Sequence, residues 1–383
     1  MKSKWEMKRI SDFVQINPKE TLKKGSLAKK VAMEKLVPFS RDVAGFEYEV
    51  FKGGTKFRNG DTIMARITPC LENGKTAQVN FLEEHEIGFG STEFIIFRAI
   101  EGVSDENYIY YMVTSPLVRN AAIKSMVGSS GRQRVQTDVI KELEIHMPNI
   151  ETQRKIGRFL KTLDDKIALN NQINNNLEQQ ALAIFKAWFV DFIPFSGVQP
   201  DNWTISSLGE VTNMGAGGDK PKIISAIPTE ECPYPIYSNG LSENGLYGYT
   251  NTPKICDESV TVSARGTIGF VCIRHTPYVP IVRLVTLIPN MEIISAKYLY
   301  LYLKQLNITG TGTTQQQLTV PDFRKTEILI PDKETMSAFT DIIAPLFSKI
   351  WTNEKENANL SATRDTLLPK LMSGELDVSD IDL

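Results

Sequence analysis

The chain has 383 residues, 42% of them hydrophobic and 23% charged, with a formal net charge of −2. That length supports two or three separate cores, and the balance of apolar and charged residues excludes a disordered chain. The slight negative charge argues against a stand-alone nucleic-acid binder, whose pI usually exceeds about 9, and no apolar run approaches the roughly eighteen residues of a membrane span.

The charge is uneven along the chain. Residues 1–150 hold 22 Lys+Arg against 19 Asp+Glu, including Lys23, Lys24, Lys29 and Lys30, whereas residues 333–383 hold 5 against 9. This suits a subunit that shares nucleic-acid binding with a basic partner; the plainer reading is an ordinary solvated surface. The N-terminus, Met1-Lys2-Ser3-Lys4-Trp5-Glu6, has no apolar stretch to serve as a signal peptide. Cys70, Cys232, Cys256 and Cys272 show no CxxC and no metal-ligand spacing, so they read as buried thiols in a reducing cytoplasm.

In chain order, residues 1–150 form the first expected globular domain, opening at Trp5. Asp61–Ile67 and Thr92–Arg98 are strand candidates, and Tyr108–Ser115 and Pro116–Met126 have helical patterning. The loop Gly128-Ser129-Ser130-Gly131 and a short strand ending at Pro148 close the domain. A long helix and linker occupy 151–198, with Asn149 as N-cap and Glu151 in the first turn. The second globular domain, 199–332, again begins at a Trp (Trp203), again has a strand containing Ala-Arg (Val260–Arg265), and again has a helical stretch, Ser295–Leu306. It ends with another Gly/Thr loop, Gly310–Thr314. A second long helix and a tail fill 333–383, where Pro345 lacks an N–H and predicts a kink or break near Asp341.

The two long helices are copies of one another, offset by 183 residues. The first carries an apolar seam at Ile156, Leu160, Leu163, Ile167, Asn170, Asn174, Leu177, Ala181, Ile184 and Trp188. The second repeats it from Phe339 to Leu371. Steps of four and three residues keep one stripe turned toward a partner helix. Antiparallel pairing in full register places Asn170 opposite Asn357 and Asn174 opposite Asn353, where an amide cluster fixes register at some cost in stability. The expected fold is therefore α+β: two globular domains separated by two long antiparallel coiled-coil helices in a pseudo-twofold arrangement. A seam of that length spans roughly 50 Å, enough to space two reading heads about one DNA turn apart, or merely to brace two domains.

Enzyme motifs are missing. There is no NPPY- or DPPY-like methyltransferase motif, no phosphate loop, and no nuclease-like grouping of carboxylates with lysine. Gly215-Ala216-Gly217-Gly218 runs into Asp219-Lys220-Pro221, which does not open a helix as a nucleotide fingerprint must. His85, His146 and His275 lie far apart. No catalytic, cofactor-binding or metal-binding residue is assigned. Recognition chemistry remains: Arg132, Gln133 and Arg134 follow the first Gly-rich loop, and Gln315, Gln316 and Gln317 follow the second, with Gln133 and Gln316 at the 183 offset. Arg pairs bidentately with guanine O6/N7 and Gln with adenine N6/N7. Arg66 and Arg265, each after Ala, form another matched pair, and Asn73 and Lys75 make a turn near the first. Each could equally be a solvated side chain or part of a structural ion pair.

Several stretches resemble one family. Ala181–Phe192 looks like the end of the central conserved helix of type I restriction–modification specificity subunits, and Leu367–Glu375 like their C-terminal signature. Ala65–Lys75 with Gly90–Phe94 is similar to one class of their target recognition domains. Tyr234–Gly240, which contains Asn239, is similar with Ala264–Gly269 to another class. The resemblance implies a non-catalytic subunit that reads a bipartite, asymmetric site in double-stranded DNA. It further implies two modification subunits docked on the helices, methylating adenine N6 with S-adenosylmethionine, and restriction subunits driven by ATP with Mg. None of these cofactors would sit in this chain. The competing readings are a fused single-chain modification–restriction enzyme, which methyl transfer by the isolated protein would reveal, and a protein scaffold without a DNA role.

Overall fold

Alternation of side chains along each strand divides the first domain's core into two layers. The computed structural model describes residues 5–310 and 317–378. The strands and helices of the first segment are β1 (Glu6–Arg9), β2 (Val14–Ile16), β3 (Leu27–Val31), β4 (Glu47–Val50), β5 (Thr55–Phe57), β6 (Thr62–Ala65), β7 (Thr76–Gln78), β8 (Gly88–Gly90) and β9 (Phe94–Ala99). Then come α1 (Glu106–Thr114), α2 (Pro116–Lys124), α3 (Thr137–Lys141), β10 (Glu144–Met147) and the long helix α4 (Ile150–Phe189). An antiparallel sheet runs β2-β9-β6-β7, and a mixed sheet runs β4-β3-β8-β5 with β3 and β8 parallel. Met64, Ile95 and Phe97 face a core shared with α1, whereas their neighbours Ile63, Phe94 and Ile96 join Val31 and Phe57 in a second core. A sheet covered on both faces needs apolar residues at every position, which is why these strands read as continuous apolar runs.

The second segment repeats this plan on a different sequence. Its elements are β11 (Thr204–Ser207), α5 (Leu208–Val211), β12 (Thr212–Ala216), β13 (Tyr234–Tyr237), β14 (Leu246–Thr250), β15 (Ser259–Val262), β16 (Val271–Arg274), β17 (Val279–Pro280) and β18 (Val285–Pro289). They continue with α6 (Ala296–Gln305), α7 (Val320–Phe323), β19 (Glu327–Ile330) and the second long helix α8 (Lys333–Ser373). The antiparallel sheet β12-β18-β15-β16 matches β2-β9-β6-β7 strand for strand. The smaller sheet β14-β13-β17 again contains one parallel pair, β13 with β17. Each segment is closed by a two-stranded ribbon, β1 with β10 and β11 with β19.

The compact units are cut differently from the four sequence segments. One comprises residues 1–171 with 354–383, the other residues 172–353. Each therefore holds the first half of the helix that follows its own domain and the second half of the other helix. The reason is packing. Ile156, Leu160, Leu368, Leu371 and Met372 are buried in the first unit's core, and Ala181, Phe185, Phe189, Phe339, Ile343 and Phe347 in the second's. Burial of each of these side chains larger than alanine contributes about 1.5–3 kcal/mol, so these helix faces are inseparable from the domains they cover.

Within each unit the helices pair antiparallel. In the first, Asn170 Nδ2 donates to Asn357 Oδ1 (2.9 Å) and to Glu356 (2.8 Å), and Arg364 meets Asp164 at 2.7 Å. In the second, Asn353 Nδ2 donates to Asn174 Oδ1 at 2.8 Å. Asn149 and Asp332 cap α4 and α8, accepting from Thr152 N and Thr335 N, each at 2.9 Å. The break expected near Asp341 does not occur: α8 is continuous from Lys333 to Ser373. Pro345 and Asp341 are both on the exposed side, where water can satisfy a carbonyl that the proline leaves unpaired.

Candidate nucleic-acid interface

In the first unit the Ala-Arg strand and the Gly-rich loop meet. Arg66 directly follows β6, and its backbone N–H donates to Glu93 O (2.9 Å) while its carbonyl accepts from Val135 N (2.9 Å). Thr68 N donates to Gln133 O at 3.0 Å, and Ile67 bridges Arg134. The loop is closed by reciprocal bonds between Val127 and Arg134, at 3.0 and 2.9 Å. Gly128 (φ 135°) and Gly131 (φ 77°) supply the left-handed backbone that lets it turn. Arg132 sits exposed near the tip with no partner for its guanidinium among the described residues, and Gln133 is half-buried beside it.

Arg134 is not free. Its guanidinium grips the Glu93 carboxylate with three contacts of 2.7–3.0 Å, and Arg66 Nε lies 4.0 Å from the same group. The Arg134 hydrogen bonds hold Glu93 below the usual carboxylate range, and Glu93 in turn raises the Arg134 guanidinium. The unit thus presents two arginines arranged around one carboxylate, with a third arginine at the loop tip. A guanidinium held by its Nε edge still has outward N–H groups for an acceptor on a base or phosphate.

Two residues expected at this surface differ from expectation in the same way. Lys75 is half-buried and its Nζ donates inward to Met33 O (3.0 Å). Asn239 in the second unit uses both ends of its amide internally: Oδ1 accepts from Ala264 N (2.7 Å) and Nδ2 donates to Val282 O (2.6 Å). Asn73 is exposed in the turn closed by Gly74 (φ 75°). The N-terminal basic cluster is partly spent as well. Lys29 is 5% exposed and bonded to Glu86 at 2.9 Å, and Lys30 meets Glu49 at 2.6 Å, leaving Lys23 and Lys24 exposed.

The second unit builds a comparable corner. Leu318 N donates to Ala264 O (3.1 Å), joining the described residues after the second Gly/Thr stretch to the backbone just beyond β15, and Arg265 donates to Gln317 Oε1 (3.1 Å). Gln315 and Gln316 lie outside the described residues. Arg265, Gln317 and Asn239 are thereby gathered in one place. Sequence reasoning assigned no role to Glu93, although it stands inside the Gly90–Phe94 stretch that carries part of the family resemblance. It also passed over Arg283, because Val282-Arg283 carries no turn-forming residue that would draw notice. Among the described residues, no group of three His, Cys, Asp or Glu is placed to hold a metal, and no helix is long and apolar enough to cross a membrane.

A family profile described as the type I restriction modification DNA specificity domain matches residues 2–179 and 200–362, one match per globular segment with its helix. The chain belongs to this family. Among relatives of this specificity subunit, the type I restriction enzyme MjaIX specificity subunit of Methanocaldococcus jannaschii is 26% identical over 73% of this chain and 71% of its own length. The HindI specificity subunit of Haemophilus influenzae is 25% identical over 83% of this chain and 87% of its own. The crystal structure of the type I system S subunit from M. genitalium shares the fold, with a TM-score of 0.57 at 17% identity over 97% and 96% of the two chains. The chain is therefore a DNA sequence-specificity subunit, a recognition component without catalytic machinery of its own.

Proposed function

We propose that each unit reads one half of a bipartite, asymmetric duplex site. Arg66, Asn73, Arg132, Gln133 and Arg134 serve the first half, and Arg265 with Gln315, Gln316 and Gln317 the second. The observation that carries this reading is a corner found in both units: the segment after a glycine-rich stretch of sequence bonds the backbone that follows a matched strand, at Arg66 in the first unit and at Ala264, next to Arg265, in the second. Two modification subunits would dock on the helices and supply the S-adenosylmethionine chemistry at adenine N6. Restriction subunits would bring ATP and Mg, and the whole would work in the cytoplasm. This chain contributes position and sequence choice, since phosphate contacts set affinity and base contacts set specificity.

Exchanging residues 1–150 for the corresponding segment of a relative tests the reading, with methylation mapped across a genome in the presence of the modification subunits. One half of the methylated sequence should change and the other should stay. Coupling should be small because the two segments contribute to separate cores, each completed by its own halves of the long helices. If both halves change together, the two units do not read independently and the proposal fails.

A further inference from the structure

Between β17 and β18 two consecutive residues, Val282 (φ 53°) and Arg283 (φ 65°), occupy left-handed backbone. Neither is Gly, Asn or Asp, and a β-branched residue is among the least suited to that region. The surroundings impose the conformation. Val282 N donates to Gly218 O (2.9 Å), Arg283 N to Gly217 O (3.0 Å), and Gly217 N to Leu284 O (2.8 Å). A Cβ on Gly217 would lie 2.8 Å from the Ile281 backbone, so this approach demands glycine. Asn239 adds its bond to Val282 O. Burial does not account for the strain, because Val282 is 51% exposed and Arg283 is exposed too. The Arg283 guanidinium has no hydrogen bond or ion pair among the described residues.

The same Asn239 amide that holds Val282 O also holds Ala264 N, the residue before Arg265. One side chain therefore fixes the backbone beside Arg283 to the backbone beside Arg265, which bonds Gln317. We propose that Arg283 is a specificity-determining residue of the second unit, held on this braced turn to pair bidentately with a guanine edge in the half-site read there. A phosphate contact needs only a nearby cation, which any relaxed loop supplies. A fork-on-edge contact needs direction, and a turn pinned by four bonds provides it. The proposal rests on the reading of function given above.

The test uses the complete complex of this chain with its modification subunits, assayed for methylation of duplexes carrying every single base-pair change in both half-sites. Arg283→Ala should lower discrimination at one or two adjacent positions of the second half-site by about ten- to a hundred-fold, leaving the first half-site profile intact. Arg283→Lys should fail to restore it, since an ammonium has no planar fork. The melting temperature should not move, because the side chain is exposed and unpartnered. A unchanged profile for Arg283→Ala, or a loss spread evenly over all sequences as for a phosphate contact, would overturn the assignment while leaving the two-reader function standing. A wild-type complex without any defined methylation site would instead overturn that function itself.

Discussion

At one and the same place in their topology the two units carry opposite charge. The turn that leaves the parallel strand and enters the central sheet is Ser91-Thr92-Glu93 in the first unit and Ile281–Leu284 in the second. In the first, the turn offers a carboxylate that organises Arg134 and Arg66. In the second, the turn itself carries the cation, and an internal amide, Asn239, does the organising. Two solutions to one problem are visible: a basic side chain must be both held and exposed. An ion pair holds it by its side chain, whereas a pinned, strained turn holds it by its backbone.

A second contrast lies where each domain meets its helices, and it carries the largest expected effects. The first unit uses polar groups: Arg364 pairs with buried Asp164 at 2.7 Å, the Tyr111 hydroxyl donates to Asp164 at 2.6 Å, and buried Arg41 meets half-exposed Asp165 at 2.7 Å. The second uses an aromatic cluster in which Tyr298 of α6 packs on Phe189 at a centroid distance of 4.9 Å and Phe339 of α8 packs on the same ring at 4.8 Å. Arg364→Ala should cost about 3–5 kcal/mol by stranding a buried carboxylate, and Phe339→Ala a similar 3–5 kcal/mol through its cavity. The two losses differ in kind. Replacing Arg364, Asp164 and Tyr111 together by Met, Leu and Phe should recover most of the first loss, because a well-packed apolar set often matches a buried ion pair. Urea unfolding combined with hydrogen exchange assigns each loss to its unit. A triple variant no more stable than Arg364→Ala would show that the polar anchor contributes packing no apolar set can copy.

The next effect concerns the carboxylate turn. Glu93→Gln removes the charge that arranges two arginines, so discrimination at the first half-site should fall by roughly 1–3 kcal/mol. Non-specific affinity should rise, and the salt dependence of binding should steepen by about one phosphate contact, because a repelling charge has gone. A merely structural Glu93 would weaken all binding without steepening the salt slope. Acidity provides a second handle. Arg134 holds Glu93 below its ordinary value, so this ion pair contributes fully above the ordinary glutamate pKa of about 4.3. The contribution is lost as the pH falls through the lower folded value. Protection factors around residues 128–135, which correct for the slower intrinsic exchange at lower pH, should therefore fall on acidification in the wild type and hold steady in Glu93→Gln; a fall in both would assign it elsewhere.

Much of this was legible in the chain. The 183-residue repeat predicts the antiparallel helix halves because seam spacing follows directly from helical periodicity. The strands Thr62–Ala65 and Phe94–Ala99 were legible as apolar runs. The bonds made by single side chains were not. Lys75 and Asn239 have the chemistry of readers, yet they are spent on Met33 O, Ala264 N and Val282 O, partners 42, 25 and 43 residues away that no local pattern shows. The division of each long helix between two cores was likewise hidden, because one seam pattern serves both helix–helix and helix–domain contacts. Pro345 misled for a related reason: its effect depends on whether its face is wet, and here it is exposed.

The smallest effect sharpens the comparison most narrowly, since it asks whether the second unit's turn is strained for a purpose. Val282→Gly relieves left-handed backbone on a β-branched residue, a gain of order 1–3 kcal/mol, but frees the unfolded chain by about 0.5–1 kcal/mol. Little packing is lost, because Val282 is 51% exposed. The net should be a stabilisation of about 1 kcal/mol, visible as a small rise in the second unit's urea midpoint with unchanged slope. Recognition should move the other way. A glycine permits several turn geometries, so the direction of the neighbouring Arg283 is less fixed, and discrimination at its base pair should decline by a few-fold. Stability and specificity would then separate at a single residue. If Val282→Gly instead raises both, or lowers stability, the turn is ordinary loop backbone and the contrast with Glu93 reduces to charge alone.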